Sequence, residues 1–510
     1  MDITRFVRLD HWFFLILGLA LIRGMLYASA LPPWGLNDEQ QHFHYIQSIC
    51  ETGYIPIVGK DYISTEIAVS SYQTKRREVF HWPSYPSIHP QDWGLEGYSY
   101  EGYQPPLYYL VLAPVYEWAS LISSNILIKL QILKWSNVGL SLVTIWLLYH
   151  VTSFLFPRRQ FVPFLTCSLL VWWPERTMST SRVNNDVLVE VLGATLYVLL
   201  IKMSLNRGVS KRDSLLIGIV FGLGLLTKMT FLPWAVGIFY VFWLLREKGW
   251  SRLLIAMGAS LVMITPYAIR NFLIYGDPTG FSSFQKLVGA VSVPERTLVG
   301  VMKSVIELLV YLWVVWWKGA MAGGSLLVRF ILRVYFGLFY FLVGFGLVRF
   351  LLSYKQAEKS AKVLLGLNLI ATGAFSLSIM GNYYAGRIPI LQGRFMLPVV
   401  LPLLVLITSS LLQLDQGDKI LAMLSFSFAA IDLAQFFVNL LPYFYYWSAF
   451  NNILPSRHSV SEAWKIFIER FLADKPEGWE WLITGLIFIY ILLTFMWICA
   501  FRGKKHAFGQ

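Results

Sequence analysis

Apolar residues run along this chain in long unbroken blocks, not in the alternation of a half-buried strand or the single stripe of a surface helix. Twelve blocks stand out, near 11–31, 132–155, 161–176, 186–203, 213–227, 230–245, 253–274, 327–351, 363–380, 396–412, 419–440 and 481–501. About 20 apolar residues in a helix span the roughly 30 Å hydrocarbon core of a bilayer, so each block is expected to cross the membrane. Several are short, and Thr227-Lys228 divides what is otherwise one apolar run over 213–245. Two further apolar stretches, 105–123 and 298–318, are expected to lie along the outer interface instead. Tyr108, Tyr109, Tyr116 and Trp118 mark the first, and Trp313, Trp316 and Trp317 the second; such rings favour the headgroup level. Lys129 and Lys134 count against this for 105–123, because they would suit the cytoplasmic end of a crossing helix.

Orientation follows from Lys and Arg in the short connections. Arg5 and Arg8 precede the first block and place the N-terminus in the cytoplasm. Twelve crossings then bring Arg158-Arg159, Lys202 to Arg212, Arg246 to Arg252, Lys355 to Lys362 and Arg502 to Lys505 to that same side. Ala28-Ser29-Ala30 looks like a signal-peptide cleavage site, but Arg23 interrupts the apolar run, so the first span is expected to stay attached.

Composition agrees with lipid as the solvent. The 510 residues are 56% hydrophobic and 14% charged, against about 45–50% and about 25% in globular chains. The 16% aromatic content excludes disorder, and three scattered cysteines (Cys50, Cys167, Cys499) make neither a disulfide framework nor a metal site. The net charge of +13 sits in clusters between apolar runs, where it reports orientation and not nucleic-acid binding. The expected fold class is an all-α polytopic membrane protein of about twelve transmembrane helices, with interfacial helices in a large first extracytoplasmic loop. The cytoplasmic loops are too short for a nucleotide-binding domain, and no phosphate-binding glycine fingerprint follows a strand. Chemistry is therefore expected on the outer face.

The outer loops hold the polar candidates. The first, 32–104, opens with Asp38-Glu39 followed closely by His42 and His44. A helix cap explains such a pair; a general base held at the membrane surface explains it equally well. The loop closes with Tyr103-Gln104-Pro105-Pro106-Leu107-Tyr108-Tyr109, where two prolines suit a helix start. Later come Glu175, Arg176, Arg182-Val183-Asn184-Asn185-Asp186, then Lys228, Arg270-Asn271 with Asp277, and Gly386-Arg387 through Gln392-Gly393-Arg394-Phe395. Each outer cation alone reads as an interfacial snorkeller. Together they break the positive-inside bias on one face, and a lipid-linked phosphate would explain that. Arg23 and Asp432 are intramembrane charges that fit a packing pair or a donor-binding role.

This order of features resembles the GT-C superfamily of integral membrane glycosyltransferases, which includes protein O-mannosyltransferases and aminoarabinose transferases. The resemblance covers roughly residues 1–415 and looks closest to a little-characterised bacterial branch. It rests on the acidic pair after the first span, the Pro-Pro-Leu-Tyr-Tyr segment, the Arg…Asn-Asp turn, the Thr-Lys span end and the Gln-Gly-Arg-Phe segment. It implies transfer of a sugar from a polyprenyl-phosphate donor to a hydroxyl of a glycan, lipid or protein, with inversion. Asp38 would be the general base, and Glu39 the runner-up or a supporting partner. Arg387, Arg394, Lys228 and Arg182 would hold the donor phosphate, and His42, Gln104, Tyr108 and Asn185 the sugar or acceptor. No cofactor is fixed by the sequence; a divalent cation is open, since Asp186 and Asp277 fall in no ligand pattern.

The alternatives are a transporter or flippase for lipid-linked glycans, or a polymerase or ligase using a pyrophosphate-linked donor. No internal repeat is visible, which weakens the transporter. Expected partners are the lipid donor, the acceptor and membrane lipid, with no nucleic acid. The chain divides into a GT-C-like catalytic module, 1–415 with extracytoplasmic loop 32–123, and C-terminal transmembrane helices, 416–510 with loop 441–480. Its expected place is the inner (cytoplasmic) membrane, multi-pass, with the active site facing the periplasm or cell exterior. A reporter fused near Asn206 should therefore behave as cytoplasmic and one near Asp277 as external; the reverse pattern would break the topology.

Overall fold

A computed structural model of the chain describes residues 10–34, 38–77, 87–205, 210–245, 249–288, 326–353, 358–384, 393–436 and 478–502, with isolated positions between these segments. The described residues are almost entirely helical. All twelve predicted blocks contain a helix. These are α1 (His11–Ala30), α5 (Ile126–Leu155), α6 (Val162–Val171), α8 (Asp186–Leu205), α9 (Lys211–Leu225), α10 (Trp234–Leu244) and α11 (Gly249–Tyr275), then α13 (Leu326–Leu352), α14 (Lys359–Tyr384), α15 (Val400–Leu411), α16 (Gly417–Gln435) and α17 (Trp479–Arg502). Among the described residues, eight helices are long and apolar enough to cross a membrane. The remaining helices are α2 (Glu39–Thr52), α3 (Thr65–Arg77), α4 (Leu107–Ile122), α7 (Pro174–Thr180) and α12 (Phe281–Val288).

One end of the bundle collects the irregular chain. The C-terminal ends of α1, α9 and α11 meet the N-terminal ends of α5 and α8 there, together with α2, α4, α7 and 3₁₀ turns at Tyr100–Tyr103 and Gly393–Val399. The opposite end carries basic connections, where Arg159 pairs with Asp418 at 3.0 Å.

α4 covers most of the stretch 105–123. Its sixteen residues reach only about 24 Å at 1.5 Å per residue. It buries Tyr108, Tyr109, Leu112, Tyr116 and Ala119 on one face and exposes Leu110, Trp118, Leu121 and Ile122 on the other. Lys129 and Lys134 are not membrane-surface anchors: both are buried in α5, the first over the Tyr116 ring at 5.2 Å and the second 3.4 Å from Glu39. The other interfacial stretch, 298–318, lies almost wholly outside the described residues.

Two buried ion pairs tie the helices together inside the bundle, where a low dielectric favours pairing. Arg23 of α1 grips Asp432 of α16 with its Nε and Nη2, and Tyr27 donates to the same carboxylate at 2.8 Å. Arg23 also lies over the Tyr27 ring and donates to Thr177 of α7. Arg176 donates twice to Glu190 of α8, at 2.9 and 2.7 Å, and once to the Ser141 carbonyl. These ties fix α7, and the segment that follows it, against α1, α5 and α8.

Removing one member strands the other without water. Asp432→Ala should lower stability by about 3–5 kcal/mol, whereas the paired replacement Arg23→Met with Asp432→Leu should lose much less. Thermal unfolding in detergent distinguishes the two, and equal losses would refute a pairing role.

Candidate functional site

Pro32-Pro33 follows α1, and the chain turns back into α2 at Asp38. Asp38 adopts a left-handed conformation (φ 62°, ψ 19°), which for L-residues favours Asn and Asp. Its side chain does not cap the helix. Instead, half-buried, it accepts a 2.5 Å hydrogen bond from the Tyr100 hydroxyl. The simple helix-cap explanation of the acidic pair therefore fails for Asp38.

The adjacent Glu39 points the other way and is only 2% exposed. Its two carboxylate oxygens accept from the backbone N–H groups of Trp34 and Val183, each at 3.2 Å. Lys134 lies 3.4 Å away and also donates to the Leu31 carbonyl at 3.2 Å. Glu39 thus fastens the post-α1 turn to α5 and to the Arg182–Asp186 turn.

That second turn delivers Asp186 at the start of α8. Lys228, between α9 and the 3₁₀ turn Met229–Phe231, donates to Asp186 Oδ1 at 2.6 Å. Arg394 Nη1 stands 3.5 Å from Asp186 Oδ2. The Arg394 backbone N–H donates to Glu175 Oε1 at 2.8 Å, so α7 holds the Gly393–Val399 turn directly. Gly193 of α8 lets that turn close in: a Cβ there would stand 2.0 Å from the Pro398 carbonyl oxygen. Three remote segments thereby bring two cations onto one carboxylate, and Lys228 and Arg394 keep 14% and 12% of their side-chain surface open.

The first loop closes over the same place. Leu107 N–H donates to the Leu226 carbonyl at 3.0 Å, anchoring Pro105-Pro106 at the end of α9. Gln104 Oε1 accepts from Asn185, which also donates to the Thr227 carbonyl, both at 3.4 Å. His42 Nδ1 is 2.9 Å from the Tyr109 hydroxyl. Burial pushes the His42 imidazole down to about 4, with Lys228 and Arg394 adding to the shift and Asp38 and Asp186 opposing it. It is neutral near pH 7, a hydrogen-bonding group and not a cation.

The sequence candidates divide accordingly. Asp38, His42, Lys228, Arg394, Gln104 and Asn185 converge, with Asp186, at one end of the bundle. Tyr108 is fully buried, its hydroxyl accepting from Asn137 at 2.8 Å, and Asn137 also donates to the Arg182 carbonyl. Arg182 is buried behind the cation pair, within electrostatic reach of Glu39 and Arg394. Arg387 lies outside the described residues. Arg270 is drawn elsewhere, donating to the Ile55 and Pro56 carbonyls at 3.1 and 3.3 Å. Asp277 accepts from Thr279 and Ser282 within its own turn. Among the described residues no group of three His, Cys, Asp or Glu side chains is placed to hold a metal ion.

One buried acid was missed. Glu101 lies in the Tyr100–Tyr103 turn, 7% exposed, with its Oε2 lacking any hydrogen-bond partner. Burial first, and Asp38 second, push its carboxyl up to about 8, against the pull of Lys228, Gln104 and Arg394. The available signal was a carboxylate inside an aromatic run just ahead of the Pro-Pro pair.

The two adjacent carboxylates predict opposite responses to neutral replacement. Glu39→Gln should lower the unfolding temperature, because it weakens a buried ion pair. Asp38→Asn should leave it nearly unchanged, since Asn tolerates the left-handed backbone. Equal melting temperatures would remove the structural assignment of Glu39.

No protein-family model matches the chain, and no curated protein matches it by sequence. A solved structure does match in fold: ArnT from Cupriavidus metallidurans, in a structure bound to undecaprenyl phosphate. The match has a TM-score of 0.52 at 14% identity and covers 96% of this chain and 75% of that one. The likeness is one of fold: the chain shares its overall helical architecture with that structure.

Proposed function

We propose that this protein is a glycosyltransferase of the extracytoplasmic membrane face that moves a sugar from a polyprenyl-phosphate donor to a hydroxyl of a glycan, lipid or protein. The observation that carries the reading is the convergence of Asp38 with the Lys228–Asp186–Arg394 cluster, the same groups whose charges all act on His42. The undecaprenyl phosphate in the structural neighbour supports a polyprenyl-phosphate donor. The basic connections at the far end of the bundle support an inner-membrane protein of twelve crossings with its site outside.

The chemistry needs one base and one cationic cradle. Asp38 takes the proton of the acceptor hydroxyl, whose oxygen attacks the anomeric carbon. The bond from that carbon to the phosphate oxygen breaks, and its electron pair leaves with the phosphate. Attack opposite the leaving group inverts the anomeric centre. Tyr100 holds the Asp38 carboxylate in place, and general-base catalysis of this kind contributes about 10²–10⁴-fold. Lys228 and Arg394 stabilise the departing anion, so the protein need not protonate it. His42, Gln104 and Asn185 line the space between, as neutral donors and acceptors for sugar hydroxyls.

Mass spectrometry of lipid-linked sugars in cells tests this. Asp38→Asn should cut transfer at least about 100-fold, so that a polyprenyl-phosphate sugar accumulates and a surface glycan lacks one residue. Arg394→Ala should raise the donor KM or depress kcat. Normal lipid-linked sugar pools in cells carrying Asp38→Asn would overturn the assignment.

A further inference from the structure

Glu101 has no part in the reaction just described, yet it is buried within electrostatic reach of Asp38, Lys228 and Arg394. Its turn is held firmly. The Gln104 N–H donates to the Glu101 carbonyl at 2.8 Å, and the Tyr103 carbonyl accepts from Tyr267 of α11 at 2.5 Å. Gly102 packs on the 55–57 segment, where a Cβ would come within 2.4 Å of the Pro56 carbonyl oxygen. The Glu101 side chain therefore has little freedom to swing out to water. Its Oε2 is buried with no partner, and leaving a buried polar atom unsatisfied is costly. A fold that keeps such an atom beside two cations and a base invites an incoming partner.

We propose that Glu101 is a neutral hydrogen-bond donor of the phosphate subsite, its carboxyl O–H donating to one oxygen of the lipid phosphate. This rests on the polyprenyl-phosphate reading of the site. Three considerations select a phosphate oxygen over a sugar hydroxyl. Lys228 and Arg394 already share Asp186, so their charge is partly spent before the donor arrives. A protonated carboxyl adds a donor to an anion without adding a charge to the pocket. An ionised Glu101 would repel the phosphate, so phosphate binding and retention of the proton reinforce each other.

The groups facing Glu101 are Asp38 at the start of α2, Lys228 after α9, Arg394 in the Gly393–Val399 turn, Gln104 and Tyr103 on its own segment, and Tyr45 and Tyr109. Burial holds the Tyr45, Tyr100 and Tyr103 phenols above their ordinary value, so they keep their protons at neutral pH. Burial likewise raises the Glu101 carboxyl, to about 8. The sign follows: the proton is present below that value and lost above it, so phosphate affinity is full at neutral pH and falls as pH rises through the Glu101 titration.

The test is equilibrium binding of undecaprenyl phosphate to the full-length protein in lipid nanodiscs, for wild type and Glu101→Gln. The Gln amide still donates a hydrogen bond but does not titrate, and dividing the two Kd values cancels ionisation of the lipid and of shared residues. The ratio of wild-type to variant Kd should rise about tenfold between about pH 7 and about pH 9. Inorganic phosphate, as a competitor, should show the same pH-dependent ratio, which would place the effect at the phosphate and not at the lipid chain. A flat ratio overturns the role of Glu101 while leaving the donor reading intact, as does a pH dependence seen with the lipid but absent with inorganic phosphate. Failure of wild type to bind undecaprenyl phosphate at any pH would overturn both.

Discussion

The arrangement of this molecule depends on a buried carboxylate that holds two cations. Asp186 is 5% exposed and faces Lys228 and Arg394. These residues stand 42 and more than 200 positions away along the chain, at the ends of different helices. Two cations left together in a low-dielectric pocket would repel, and each would lose its hydration without return. Asp186 lets them coexist close to lipid, and in doing so pulls α8, the end of α9 and the Gly393–Val399 turn to one place. The remaining contacts keep that knot from slipping. Glu175 holds Arg394 by its backbone, Arg176 ties the adjacent helix to Glu190, and Gly193 admits Pro398 at close range.

Asp38 and Glu39 show how a pair of identical functional groups acquires two tasks. The left-handed turn at Asp38 sends successive side chains in different directions. Glu39 enters the protein and is saturated by two backbone N–H groups and Lys134. It cannot release those partners to accept a proton from substrate without stranding Lys134. Asp38, with Tyr100 on one oxygen, keeps capacity on its side chain for a hydroxyl. For the proposed base, hydrogen-bond satisfaction favours Asp38 over Glu39, a choice left open in the sequence.

Much of the architecture was legible because lipid imposes a length rule, which eight helices among the described residues meet in length and apolarity. Each apolar block became a helix, and the Tyr-marked stretch 105–123 became the short α4 with one buried and one exposed apolar face. What stayed illegible depends on tertiary contact. Lys129 and Lys134 carry the same local signal as cytoplasmic anchors, and only a partner more than 90 positions upstream turns Lys134 into a buried ion. Arg270, Arg182 and Arg394 look equivalent along the chain. One is taken up by loop carbonyls, one is buried behind the site, and one joins Asp186. The aromatic run around Glu101 was its one local signal; its burial near Asp38 follows from how its turn packs on the 55–57 segment.

Charge conservation gives the site its internal logic under the proposed reaction. The groups that meet the donor are an ionised Asp38 and Asp186 against Lys228 and Arg394, with His42 and Glu101 neutral, so the pocket starts near balance. During transfer the lipid phosphate changes from a diester with one charge to a monoester that gains a second. In the same step Asp38 goes from anion to acid. The negative charge created on the leaving group equals the negative charge extinguished on the base, so the pocket's total does not change while the bond breaks. In a medium where moving a net charge is expensive, a base and a cationic cradle in one pocket accomplish what neither could separately. Under the proposed reaction, that coupling is what residues so distant in sequence gain by being held together at the bundle's end.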